Sequence, residues 1–245
     1  MAKGDRVIAI SNFVSEHVRE TYGISDDRLL TIHRGIDVNL FDPAKVSAER
    51  IIQVSRGWRL TDDHPVIMLP GRFTSWKGQS VLIKALQILG RQDVCCVLVG
   101  RDQGRGNYRA ELEAQVHACR LGPVVRLADS CADMAAAYML ADVVVSASTR
   151  PEGFGRVVVE AQAMGRPVIA TDHGGAKETV WPEKSGWLIP PNDPEALAAA
   201  LERALGLTEG EREMMAQNGR DNVKQNFTVE LMCRHTMDVY RSLLP

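Results

Sequence analysis

Two short stretches of this sequence carry side chains whose chemistry calls for a partner. In the first, Gly71, Arg72, Lys77 and Gly78 lie between a β-branched run ending at Leu69 and a segment with helical spacing. An anion held there would meet two fixed cations, the backbone N–H groups of a tight loop and the positive end of a helix. Taken alone, Arg72 and Lys77 read equally well as solvated loop charges. In the second stretch, Glu152, Gly153, Phe154 and Gly155 follow a run at residues 143–145, and Glu160 comes a little over two helical turns after Glu152. The glycines let backbone approach a ligand closely, and the orphan N–H groups that open the following helix suit phosphate or sugar oxygens.

Glu160 stands among Val157, Val158, Val159, Ala161 and Ala163. An ionised carboxylate buried there needs a partner, and a ribose diol would serve. The plainer reading leaves Glu160 in solvent and lets Glu152 complement the helix dipole. A third stretch, Asp172, His173, Gly174 and Gly175, reads by itself as a glycine turn before a helix.

Something must position these stretches. β-branched runs at residues 7–10, 29–32, 66–69, 94–99, 124–127, 143–145, 167–170 and 187–189 alternate mostly with segments of helical spacing. That pattern predicts an α/β fold, a doubly wound, Rossmann-like parallel sheet covered on both faces. Helices are expected at 80–89, at 108–120 opened by Asn107, and at 195–205, the last capped by Asn192 or Asp193 with Pro194 in its first position. After Thr208 the strands stop, and residues 209–226 and 229–244 read as two terminal helices broken near Phe227. In such sheets ligands bind beyond the carboxyl ends of the strands, which draws attention to the loops after Leu69, Val99, Val145 and Ala170.

Several function classes lose support. A formal net charge of -2 supplies no broad positive field, so no nucleic-acid partner is expected. Five cysteines, odd in number and without C-x-x-C spacing, fit a reduced, cytoplasmic setting. The apolar stretch 135–147 is broken by Asp142 and too short to cross a bilayer, and Met1-Ala2-Lys3-Gly4 does not open a secretory signal. Gly100, Gly104 and Gly106 have the wrong spacing for a dinucleotide fingerprint, and no G-K-[ST] phosphate loop occurs. The histidines are scattered without metal-ligand spacing, and there is no G-x-S-x-G elbow, so neither a metal nor a cofactor is expected.

Taken together, Gly71-Arg72 with Lys77-Gly78, Glu152-Gly153-Phe154-Gly155 with Glu160, and the pair Gly174-Gly175 resemble family 4 of the retaining glycosyltransferases, which have the GT-B fold. By this resemblance residues 1–34 are a remnant of an N-terminal acceptor domain, contributing its last strand and helix. Residues 35–65 would be the interdomain link and first helix, 66–226 the nucleotide-sugar (donor) domain, and 227–245 a C-terminal helix packing back toward the N-terminal domain. The chain would thus carry the C-terminal half of a GT-B fold.

The resemblance also implies roles. Arg72, Lys77 and Glu152 would be catalytic, the two cations holding the donor diphosphate and stabilising the leaving group as charge develops. Glu152 would touch the transferred sugar and Glu160 the ribose hydroxyls, while Gly71, Gly153, Phe154 and Gly155 would meet sugar or phosphate oxygens. Backbone near Leu127 and Ala128 would recognise the base, with His173 and Gly174 as further contacts. The implied reaction moves a hexose from a UDP- or GDP-linked sugar to a cell-envelope saccharide, lipopolysaccharide or lipid-linked saccharide, with retention and without a metal. A longer protein is expected in the cytoplasm, with peripheral association at the inner face of the membrane. Two other readings stay open: a nucleotide-sugar-binding module without turnover, and a GT-B sugar-nucleotide epimerase or phosphorylase.

Overall fold

The structure, a computed structural model, describes residues 3–61, 63–102 and 107–244, so Met1, Ala2, Gly104 and Gly106 lie outside it. Residues 7–31 form a small unit in which β1 (Val7–Ala9) and β2 (Leu29–Thr31) pair in parallel around α1 (Asn12–Tyr22). Its core is Ala9, Ile24 and Leu29, with Val7, Val14 and Val18 packed against them. Helix α2 (Ala48–Trp58) follows.

The main sheet holds β3 (Val66–Pro70), β4 (Cys95–Val99), β5 (Val125–Ala128), β6 (Val143–Ser146), β7 (Val168–Thr171) and β8 (Gly186–Ile189). Their order is β5-β4-β3-β6-β7-β8, and every neighbouring pair is parallel. Alternate strand residues enter opposite cores, as the pleat requires. Ile67, Leu69, Cys96 and Leu98 face α3 (Gln79–Leu89), α4 (Tyr108–Ala118) and α8 (Pro194–Leu205). Met68, Val97 and Val99 face the side built by α5 (Met134–Leu140) and α6 (Arg156–Ala163). Burial on both faces explains why these strands read as uninterrupted apolar runs. Helix α7 (Ala176–Thr179) precedes β8, and α9 (Glu209–Asn226) and α10 (Val229–Arg241) end the described fold.

All eight expected strands are present, but in two sheets, one of two strands and one of six. The apolar stretch 135–147 divides into α5 and β6, and Asp142 between them accepts the Val66 N–H at 2.7 Å. Asp193, not Asn192, caps α8 by accepting the Ala196 N–H at 2.8 Å, with Pro194 in the first turn. The helices expected over 108–120 and 229–244 stop short, at Ala118 and Arg241. The turn between α9 and α10 is tied to the segment leaving β2, where the Ile36 N–H donates to the Phe227 carbonyl and the Val229 N–H to the Ile36 carbonyl. Among the described residues no helix is long and apolar enough to cross a membrane.

The strand order reverses between β3 and β6. Connections from β3 run toward β4 and β5, and those from β6 toward β7 and β8. A crevice opens at that point beyond the carboxyl ends of the two strands.

Candidate functional site

Both charged stretches flank this crevice. After β3, residues Ser75–Lys77 make one 3-10 turn, and Gly78 then adopts the left-handed conformation at φ 77°. A Cβ at position 78 would lie 1.8 Å from the Ala147 carbonyl oxygen, so only glycine fits. Two residues further along the opposing loop, the Thr149 N–H donates to the Trp76 carbonyl at 2.7 Å. Backbone contacts therefore bind the two loops together.

Side chains follow. Lys77 Nζ lies 2.7 Å from Glu152 Oε1, with both side chains mostly buried. The Ser148 hydroxyl donates to the same carboxylate oxygen. Lys77 and Arg72 share the Trp76 ring, at 4.6 Å and 5.9 Å from its centroid, a geometry that favours cations. Buried Gln79 donates to the Arg72 carbonyl at 2.9 Å and so fixes the backbone beneath the guanidinium. The Arg72 side chain itself is exposed and makes no salt bridge among the described residues.

Glu160 is 7% exposed, which overturns the solvent-facing reading. Its partners are internal: Tyr138 donates its hydroxyl to Oε2 at 2.9 Å, and Arg156 donates to Oε1 at 2.8 Å. Burial lifts the Glu160 carboxyl above the ordinary glutamate value of 4.5, and the Tyr138 hydrogen bond and the Arg156 charge pull it partly back. Burial likewise pushes the Tyr138 hydroxyl well above its usual value, and the neighbouring carboxylate adds to that. Gly71, Arg72, Gly100, Cys131, Tyr138 and Glu160 line a cavity of about 310 Å³. That lies at the small end of the range for small-molecule sites.

The third stretch forms the floor of the Glu152 loop. The Gly175 N–H donates to the Glu152 carbonyl at 2.8 Å. At Gly174, φ is 60° and a Cβ would come within 2.5 Å of that same oxygen. His173 Nε2 lies 2.7 Å from the Ser148 carbonyl and so carries the hydrogen, and the Thr171 hydroxyl donates to that carbonyl at 3.0 Å. Phe154 is buried, and Gly155, at φ 83°, opens α6. Leu127 stands apart: its carbonyl accepts from Arg109 at 2.9 Å, and it borders a separate depression beside α2. Of the segment after β5, Ser130 and Cys131 reach the 310 Å³ cavity.

Ser148, Trp76, Tyr138 and Arg156 were not singled out from sequence. The spacing of Arg156 and Glu160 was a usable signal, because residues four apart meet on a helix face. Tyr138 left no local signal. Among the described residues no group of three potential metal-ligating side chains converges. What the crevice offers is an open cation at its rim, a second cation held by a carboxylate, and a buried carboxylate behind, a set suited to a polar anionic ligand bearing hydroxyls.

Residues 52–222 match the family described as glycosyl transferases group 1, and the chain belongs to that family. The expected resemblance to family 4 enzymes of the GT-B fold holds, and the doubly wound sheet is the Rossmann-like sheet of that fold. Among relatives, the chain is 32% identical to a D-inositol 3-phosphate glycosyltransferase of Xylanimonas cellulosilytica, over 98% of this chain and 57% of that protein. Among solved structures, a glycosyltransferase from Rickettsia africae superposes with a TM-score of 0.94 at 34% identity, over 98% of this chain and 64% of that one. Anabaena Alr3699/HepE in complex with UDP and glucose superposes with a TM-score of 0.88 at 29% identity, over 98% and 63%. The chain thus spans less than two thirds of the length of these proteins.

Proposed function

We propose that this chain holds the donor site of a retaining glycosyltransferase that moves a hexose from a UDP-linked sugar without a metal. The observation that carries this reading is that Arg72 and Glu160 line one cavity at the reversal of strand order, and that Lys77, whose side chain passes beside Gly71 in the lining of that cavity, pairs with Glu152. In this reading Arg72 and Lys77 receive the diphosphate and stabilise the charge that grows on it as the glycosidic bond breaks. Lys77 turns from Glu152 toward the phosphates, which frees Glu152 to hold sugar hydroxyls. Glu160, kept in place by Tyr138 and Arg156, offers its remaining lone pairs to the ribose.

The preference for UDP over GDP rests on the Anabaena neighbour, solved with UDP and with UDP-glucose. The acceptor we assign, on family resemblance, is a cell-envelope or lipid-linked saccharide, met at the membrane's inner face by a protein longer than this chain. The relative named for D-inositol 3-phosphate favours a second acceptor class, a phosphorylated polyol. Titration calorimetry with UDP, GDP and ADP in the absence of metal tests the donor site. Saturable binding of UDP is expected, weakened roughly 10- to 100-fold by Arg72→Ala, the worth of about 1.5–3 kcal/mol for a charge-assisted hydrogen bond. Glu160→Ala should weaken it as well. Absence of saturable binding by any of the three would overturn the assignment, and inversion at the anomeric carbon of the product would overturn the retaining mechanism.

A further inference from the structure

Glu178, on α7, has no part in the crevice described above, yet its carboxylate is the most heavily engaged contact between the residue 7–31 unit and the main sheet. Its side chain is 15% exposed. Oε1 accepts the Phe13 N–H at 2.8 Å, Oε2 accepts the Asn12 N–H at 2.8 Å, and His33 Nε2 lies 2.7 Å from Oε2. Asn12 and Phe13 open α1, and their N–H groups are among those a helix leaves without internal partners. A carboxylate supplied from elsewhere in the chain satisfies both and complements the positive end of the helix.

A second tie lands on the ligand side. The Ser11 hydroxyl donates to the Gly153 carbonyl at 2.5 Å while accepting the Val14 N–H at 3.1 Å. Ile10 and Val14 sit against Gly153, where a Cβ would come within 3.5 Å and 3.4 Å of their side chains. The same loop is held from below by Gly175, three residues before Glu178, whose N–H donates to the Glu152 carbonyl. A third route runs through rings: His33 meets Phe227 edge-on at 5.6 Å, and Phe227 meets Phe154 edge-on at 5.6 Å. Glu178, His33, Phe227, Phe154 and Gly175 therefore close a ring around the loop that carries Glu152.

We propose that Glu178 is a positioning residue that couples the seating of the α1 unit to the conformation of the Glu152–Gly155 loop. When the carboxylate holds the start of α1, Ser11 is placed on the Gly153 carbonyl and the loop is clamped from both sides. When it does not, the loop loses its clamp on the α1 side and keeps the Gly175 contact beneath it, the pairing of Glu152 with Lys77 and Ser148, and the Phe154–Phe227 contact. The consequence for a sugar rests on the donor-site reading above: the hexose is gripped by this loop, whereas the nucleotide is held by the Arg72 and Glu160 side of the crevice.

Hydrogen exchange on the ligand-free chain tests the coupling without any ligand. In Glu178→Ala, exchange should quicken about tenfold both in peptides covering residues 11–20 and in peptides covering 148–158, because both lose a shared restraint. Glu178→Gln, which keeps one carbonyl oxygen as acceptor, should fall between wild type and Glu178→Ala in both regions, and it carries the comparison if the alanine variant does not fold. Ser11→Ala should add less to Glu178→Ala than it costs alone, the signature of one network. Faster exchange confined to residues 11–20 would reduce Glu178 to a helix cap and overturn the proposal. In binding, UDP affinity should be unchanged in Glu178→Gln while the extra affinity contributed by glucose in UDP-glucose falls. A loosened loop with that increment intact would overturn the positioning role. Failure of the wild type to bind UDP would instead overturn the donor reading, leaving the exchange result to decide the coupling.

Discussion

The loop after β3 and the loop after β6 hang from adjacent strands and face one crevice, but they hold their charges in different ways. Arg72 sits exposed on the rim, resting on Trp76 and supported from behind through its own carbonyl. On the other side Glu152 is matched by Lys77 and Ser148, and Glu160 by Tyr138 and Arg156. The difference follows from desolvation. A guanidinium on the surface keeps its water, whereas a carboxylate sunk into a helix among valines must be compensated by the protein itself. Partners supplied internally therefore mark the fixed side of the crevice, and the exposed cation marks the side to which the donor reading assigns the diphosphate.

Three measurements would sharpen or break that contrast. The largest effect should come from Tyr138→Phe, which leaves the buried Glu160 carboxylate one donor short and should cost about 1–3 kcal/mol in urea unfolding. Unchanged stability would mean that Arg156 compensates Glu160 alone, and the contrast between the two sides would weaken. A smaller effect is expected from Lys77→Met and Glu152→Gln combined in a double-mutant cycle. Their coupling should be about 1 kcal/mol, reduced from a fully buried pair by the residual exposure of both side chains. Saturating UDP should shrink that coupling if Lys77 moves to the diphosphate, and a coupling unaffected by bound UDP would mean that the pair is purely structural.

The smallest effect is in pH. Because burial raises the folded-state value of Glu160, its contribution to stability is fully present below the ordinary value of 4.5 and is lost as pH rises through the raised one. Nucleotide affinity should run the other way, falling as the carboxylate is protonated on the acid side. Unfolding and titration series on wild type and Glu160→Gln should thus give pH slopes of opposite sign for stability and for binding. Slopes of the same sign would show that the ionised carboxylate is not what the ligand meets.

Much of the fold was legible for a plain reason. Strands buried on both faces must be apolar throughout, so runs such as Val143 to Val145 announce themselves, and Pro194 behind Asp193 marks a helix start wherever it occurs. The separation into two sheets was not legible in the runs themselves, because β1 and β2 carry the same kind of run as β3 and differ only in which core they enter; only the family resemblance, which set residues 1–34 apart, implied it. In the site, Arg72, Lys77, Glu152 and Glu160 could be placed near one another because each follows the carboxyl end of a strand. Glu160's buried partner could not, since Tyr138 reaches it from another helix.

The backbone contacts that join the two loops, Thr149 to Trp76 and the close approach of Gly78 to Ala147, have a bearing on how this crevice could change over evolutionary time. Loops stapled to each other at such short range tolerate neither insertion nor widening without loss of both anchors. On the proposed donor reading, adaptation to a bulkier or smaller sugar would therefore proceed by exchanging individual side chains along a constant frame. An engineer seeking a new donor should vary the residues that line the cavity and leave its loop lengths alone.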